Sequence, residues 1–146
     1  MLNRWIEGDV MDAMKEAKMG SIVFSPLAQG MLTDKYLKGV PEDSRAASGA
    51  PSFRDGFLSE ANIERIRGLN SIAEKRGQTL SQMALAWVLR DPVVTTALIG
   101  ASKPSQIQEN VEALNNLTFT SEELAAIDHY AKEGDINIWA ASSKAG

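Results

Sequence analysis

Apolar positions recur with helical spacing in five places along the chain and gather into strand-length runs in two. Val10, Ala13, Met14 and Ala17 share one face of a first helix, with Asp9 suited to cap it and Gly20 to end it. A strand over 22–24 follows. A second helix, starting near Ser59, buries Ile66, Leu69, Ile72 and Ala73. Lys75 and Arg76 lie in its last turn, where cations meet the negative end of the helix dipole, and Gly77 stops it. Thr79 and Gln82 form a capping box for a third helix, which shows Leu80, Met83, Ala84, Trp87 and Val88 on one face and cannot pass Pro92. The β-branched run VTTALIG, residues 94–100, has the length of a strand and is closed by Gly100. Pro104 suits the first turn of a fourth helix with Ile107, Val111 and Leu114 on one side. Thr120 and Glu123 make a second capping box, Phe119 can staple against Leu124, and a fifth helix runs over about 121–132.

Strands separated by helices predict an α/β fold with parallel strands. Two strands, however, cannot cover the apolar faces of five helices. A closed barrel of alternating strands and helices needs roughly 250 residues, and this chain has 146. One long irregular stretch, about 31–58, carries Gly39, Pro41, Gly49, Pro51 and Gly56. Connections of that length are often lids or binding loops.

Composition sharpens this picture. The chain is 44% hydrophobic and 23% charged, as soluble globular domains are. Its formal net charge of -4 argues against nucleic acid or an anionic membrane as main partner. Cysteine is absent, which excludes disulfides, thiolate metal sites and cysteine nucleophiles. The first twenty residues lack a long apolar run, so neither a signal peptide nor a spanning helix is expected, and the expected location is the cytoplasm. The sequence NLT at 116–118 matches a glycosylation acceptor but is read as a chance match.

The chemistry is expected at the two strand ends, because ligands of parallel α/β folds bind at the carboxyl ends of strands. After the first strand, Ser25 offers a hydroxyl, Pro26 fixes a turn, and Ala28 and Gly30 admit a ligand close to the backbone. After the second, Gly100, Ser102 and Lys103 stand at the mouth of the fourth helix, whose free amides and partial positive charge favour an anion. Gln106, Glu109 and Asn110 are three and four residues apart on one face, suited to the edge of a base or a ribose. Taken singly, each segment reads as ordinary turn and cap chemistry. Taken together they describe a split anion site for a ligand with two separated phosphates. Neither a P-loop nor a GxGxxG is present.

The stretches FSPLAQGMLTDKY, IAEKRGQTLSQMALAWVLRDPVVTTALIGASKPSQIQENVEALN and INIWAASS resemble the C-terminal part of aldo-keto reductases. The likeness is greatest to the branch of potassium-channel β subunits and bacterial L-glyceraldehyde 3-phosphate reductases, and it covers nearly the whole chain from LNR at 2–4. It implies a single unit over 1–146: the C-terminal portion of a (β/α)8 TIM barrel, with its seventh and eighth strands. It also implies NADP(H) as cofactor. By resemblance, Phe24, Ser25, Pro26, Leu27, Ala28 and Gln29 line the nicotinamide and pyrophosphate side, and Lys35 and Arg45 close over the phosphates. Gly100, Ser102, Lys103, Gln106, Glu109 and Asn110 would hold the adenosine 2'-phosphate and the adenine.

The family's Tyr, Lys, Asp and His, which protonate the hydride acceptor, belong to strands before those present here, so no catalytic residue is assigned. Tyr36 and Tyr130 do not match the acid position, and His129, beside Asp128, reads as a surface residue. Trp5, Trp87 and Trp139 read as core or barrel-end packing. No metal ligand set is assigned. The expected partners are a small aldehyde or ketone in the complete enzyme, the missing N-terminal half barrel, and a second copy in a homo-oligomer. A non-catalytic nucleotide-binding or interaction module similar to channel β subunits is the alternative, as is an inactive fragment.

Overall fold

The computed structural model describes residues 1–42, 44, 46–49, 56–134 and 136. Its elements, in chain order, are α1 (Asp9–Glu16), β1 (Ser21–Phe24), α2 (Glu60–Lys75), α3 (Leu80–Val88), β2 (Val94–Leu98), α4 (Pro104–Val111) and α5 (Ser121–Tyr130). Short 3-10 turns occupy Ala28–Gly30, Asp34–Tyr36 and Glu112–Asn115. The fold is mixed α/β, with β1 and β2 paired in parallel.

Local chemistry sets most of these boundaries. Ser59 caps α2 by accepting from the Asn62 amide. At α3 and α5 the reciprocal boxes of Thr79 with Gln82 and of Thr120 with Glu123 are both closed. Two expectations are corrected. In α1 the N-cap is Gly8, and Met11 is the buried residue; Val10 is 39% exposed, because this short helix packs through Met11 against Val93 and Val94. In α4 the stripe expected to be covered faces solvent, with Ile107, Val111 and Leu114 all more than half exposed. The buried positions there are Asn110 and Ala113. Of the three tryptophans read as core or barrel-end packing, Trp87 is buried, Trp5 is 57% exposed and Trp139 lies outside the described residues.

The main core is built around α3, whose Leu80, Met83, Ala84 and Trp87 meet Ile66, Leu69 and Ala73 of α2 and Ile127 of α5. The N-terminal segment joins it through Met1 and Leu2. Trp87 lies between two guanidinium groups, Arg90 at 3.6 Å and Arg4 at 5.1 Å from its ring centroid. Arg4 in turn bonds Glu7 and Asp128, which ties the first residues to α5.

The sheet has unequal faces. Ile22 pairs with Thr96 and Phe24 with Leu98, so these four side chains stand on one face, and Ile22, Phe24 and Leu98 are 69%, 63% and 61% exposed. Val23, on the other face, packs with Met11 and Val94. The register also decides where the site lies. Phe24 and Leu98 are the last residues of their strands and partners in the ladder, so the loops that follow them leave side by side.

Candidate functional site

A groove of about 850 Å³ opens between those two loops, within the roughly 300–1,000 Å³ of small-molecule sites. Phe24, Ser25, Pro26, Leu27, Gln29 and Lys35 line its β1 side. From the β2 side come Gly100, Ser102, Gln106, Glu109 and Asn110. Eleven of the fourteen residues expected at a ligand site thus border one space. Ala28 does not; it is buried in the core behind the loop. Lys103 is exposed at the N-cap of α4, beside the groove lining rather than in it. Arg45 lies outside the described residues.

The β1 loop has an unusual backbone. Ser25, Ala28 and Gln29 have φ of 50°, 49° and 60°, followed by Gly30 at 94°. For side-chain-bearing residues other than Asn and Asp this left-handed region is uncommon, and each such residue costs on the order of 1–3 kcal/mol. The loop is pinned by Ala28 N–H donating to the Ser25 carbonyl and Thr33 Oγ1 donating to the Gly30 carbonyl at 2.7 Å. A tight, fixed turn therefore presents the groove with Ser25 and Gln29. Sequence reasoning identified the small residues but gave no sign that Ser25 and Gln29 themselves adopt positive φ.

At the mouth of α4 three donors converge on one oxygen. Gln106 Oε1 accepts from the Ser102 amide at 2.8 Å, the Ser102 hydroxyl at 3.2 Å and the Lys103 amide at 3.2 Å. The lysine side chain has no acceptor, so Gln106 alone provides the cap. A phosphate oxygen has the same acceptor chemistry as that amide oxygen, and the donor set fits one. One turn on, Glu109 Oε1 accepts from the Thr79 and Ser81 hydroxyls at 3.0 and 2.9 Å. Asn110 is only 8% exposed and borders the groove. Ser81, missed by the motif reading because it sits inside the apolar run of α3, also borders the groove.

Tyr36 is buried at 2% exposure and borders the same groove. His129 is exposed on α5, edge-on to Tyr130 with ring centroids 4.7 Å apart. Neither His129 nor Tyr130 borders the groove. A second cleft of about 540 Å³ is lined mainly by apolar groups, among them Met1, Trp5, Met11, Ile22 and Phe24. Its charged members Glu7 and Arg90 face each other at 3.7 Å, and Arg90 also stacks on Trp87. Polar groups open to a ligand are gathered in the first groove instead. Among the described residues no cluster of acids and histidines suits a metal, and no helix is long and apolar enough to cross a membrane.

The chain is 49% identical to an L-glyceraldehyde 3-phosphate reductase of Escherichia coli O157:H7 over 98% of its own length and 42% of that protein. A second, of Escherichia coli strain K12, is 48% identical over the same shares. A Schizosaccharomyces pombe protein named for a voltage-gated potassium channel subunit beta is 40% identical over 84% of this chain and 37% of its own. The chain thus spans less than half the length of these curated relatives. Residues 1–132 match the model of the aldo/keto reductase family, and the chain belongs to that family.

Proposed function

We propose that the chain is the NADP(H)-binding C-terminal part of a carbonyl reductase related to L-glyceraldehyde 3-phosphate reductase, with its two strands as the seventh and eighth of a (β/α)8 barrel. The meeting of the two loops carries the reading: eleven residues expected at a ligand site border one groove, among them Ser102, whose amide and hydroxyl are donors of the kind a phosphate takes. Ser102 and Lys103 hold the 2'-phosphate, taking over the amides that Gln106 Oε1 occupies. Ser25, Gln29 and Lys35 border the pyrophosphate and nicotinamide side, with Arg45 joining Lys35 over the phosphates. When bound, the cofactor supplies a hydride for a small aldehyde or ketone. The chain's contribution is binding and orientation; a proton donor comes from the remainder of the barrel, which the bare sheet face of Ile22, Phe24 and Leu98 accommodates.

The test is titration with NADPH and NADH, before and after Lys103→Ala. Wild type should prefer NADPH, since only the 2'-phosphate engages these donors, and the substitution should weaken NADPH about tenfold while leaving NADH nearly unchanged. Equal losses for both would refute the assignment of the 2'-phosphate. A second reading, a nucleotide-binding module without turnover, rests on His129 and Tyr130 lying away from the groove. It predicts tight NADPH binding with no aldehyde-dependent oxidation even after the N-terminal half of a relative is supplied.

A further inference from the structure

We propose that Ser81, together with Thr79, is a positioning residue that fixes the Glu109 carboxylate so that the groove selects an adenine ring. The inference rests on the nucleotide reading above and deepens it.

The hydroxyls of Thr79 and Ser81 both donate to the same carboxylate oxygen, Oε1, at 3.0 and 2.9 Å. Among the described residues no hydrogen bond ends on Oε2. The two hydroxyls are themselves 2.9 Å apart. Ser81 is 6% exposed, so its hydroxyl cannot swing into bulk water, and its donation to Glu109 satisfies a buried group. The backbone beneath is held by the same junction. Gln82 Nε2 donates to the Glu109 carbonyl at 3.1 Å and to Glu112 Oε2 at 3.1 Å, which clamps α4 onto the start of α3. Thr79 Oγ1 also accepts from the Gln82 amide, so its rotation is restricted.

A carboxylate whose first oxygen is saturated and whose backbone is clamped presents its second oxygen in a fixed direction. Ionised, that oxygen only accepts. Asn110 is the next residue, nearly buried, and offers both an acceptor and a donor. An adenine edge has an exocyclic amine to donate and a ring nitrogen to accept, which complements this pair. Hypoxanthine presents a carbonyl where adenine has the amine, and would set two acceptors against each other.

The experiment compares the affinity of the full 146-residue chain for NADPH with that for reduced nicotinamide hypoxanthine dinucleotide phosphate. A hydrogen bond to a charged group corresponds to roughly ten- to a hundredfold, so wild type should favour the adenine form by about that factor. Ser81→Ala should cut the preference about three- to tenfold, by weakening NADPH alone, and Ser81→Thr, which keeps the hydroxyl, should restore it. Glu109→Gln places an amide donor at the free position and should turn the preference toward hypoxanthine. A purely structural Ser81 would weaken both ligands equally, which would overturn the proposal, as would an unchanged preference in Glu109→Gln. Failure of wild type to bind either dinucleotide would instead overturn the nucleotide reading itself.

Discussion

Gly68, midway along α2, lies against the Tyr130 ring at the end of α5, so closely that an added Cβ would overlap the ring. A helix interior normally disfavours glycine by up to about 1 kcal/mol relative to alanine. Here close packing accounts for it. Gly68→Ala should therefore destabilise the chain by about 1–3 kcal/mol, the usual cost of overpacking, despite the gain in helix propensity. Combining it with Tyr130→Ala should recover part of that loss, and urea unfolding of the single and double variants checks both. Nothing local in the sequence distinguishes Gly68, since its partner is 62 residues away. At the groove the situation differs. Gln106, Glu109 and Asn110 were legible because helical spacing places them on one face, and Ser102 because it stands at the mouth of that helix, whereas Ser81 was hidden by the apolar residues on either side of it.

Capped elements were the most legible, because their signals are local: both predicted capping boxes close as the spacing requires. The faces of α1 and α4 were misread, since periodicity identifies an apolar stripe but not whether a neighbour covers it. The junction of α2 with α5 adds a feature that no local pattern reports. Arg76, with its side chain 2% exposed, pairs with Glu123 at 2.5 Å, donates to the Thr118 carbonyl at 3.0 Å and lies 3.8 Å from the Phe119 ring centroid. Removing the carboxylate leaves a buried guanidinium short of its counter-charge and opens the α5 capping box. Glu123→Ala should accordingly cost about 3 kcal/mol, and Arg76→Met less, because the methionine packs on Phe119 and Glu123, 29% exposed, regains water. Chemical denaturation ranks the two variants; an equal or reversed ranking would contradict the assignment of the cost to a buried guanidinium left without its counter-charge.

For the molecule as a whole, the parallel pair was legible from its β-branched runs, and the full strand complement was not, because parallel sheets normally have both faces covered and this one has its Ile22, Phe24 and Leu98 face bare. The N-terminal amine shows how tightly the first residues join the core. Burial, aided by Arg4 and Arg90 and opposed by Glu7, lowers its pKa from 8.0 to about 5. The folded state thus favours the neutral amine, while the unfolded chain binds a proton below pH 8. Stability is fully present above pH 8 and declines as pH falls toward 5, by up to about 4 kcal/mol. For the chain with a free amine at Met1, denaturant midpoints should therefore rise between pH 5 and 8, and N-terminal acetylation should flatten that rise.

The central claim is that the loops after β1 and β2 form one NADP(H) groove. Hydrogen–deuterium exchange of the 146-residue chain, with and without saturating NADPH, tests it most directly. Protection should appear together in residues 25–36 and 100–110, and be weaker with NADH in the second segment. Protection confined to the cleft around Trp5 and Met11, or absent from both loops, would contradict the account.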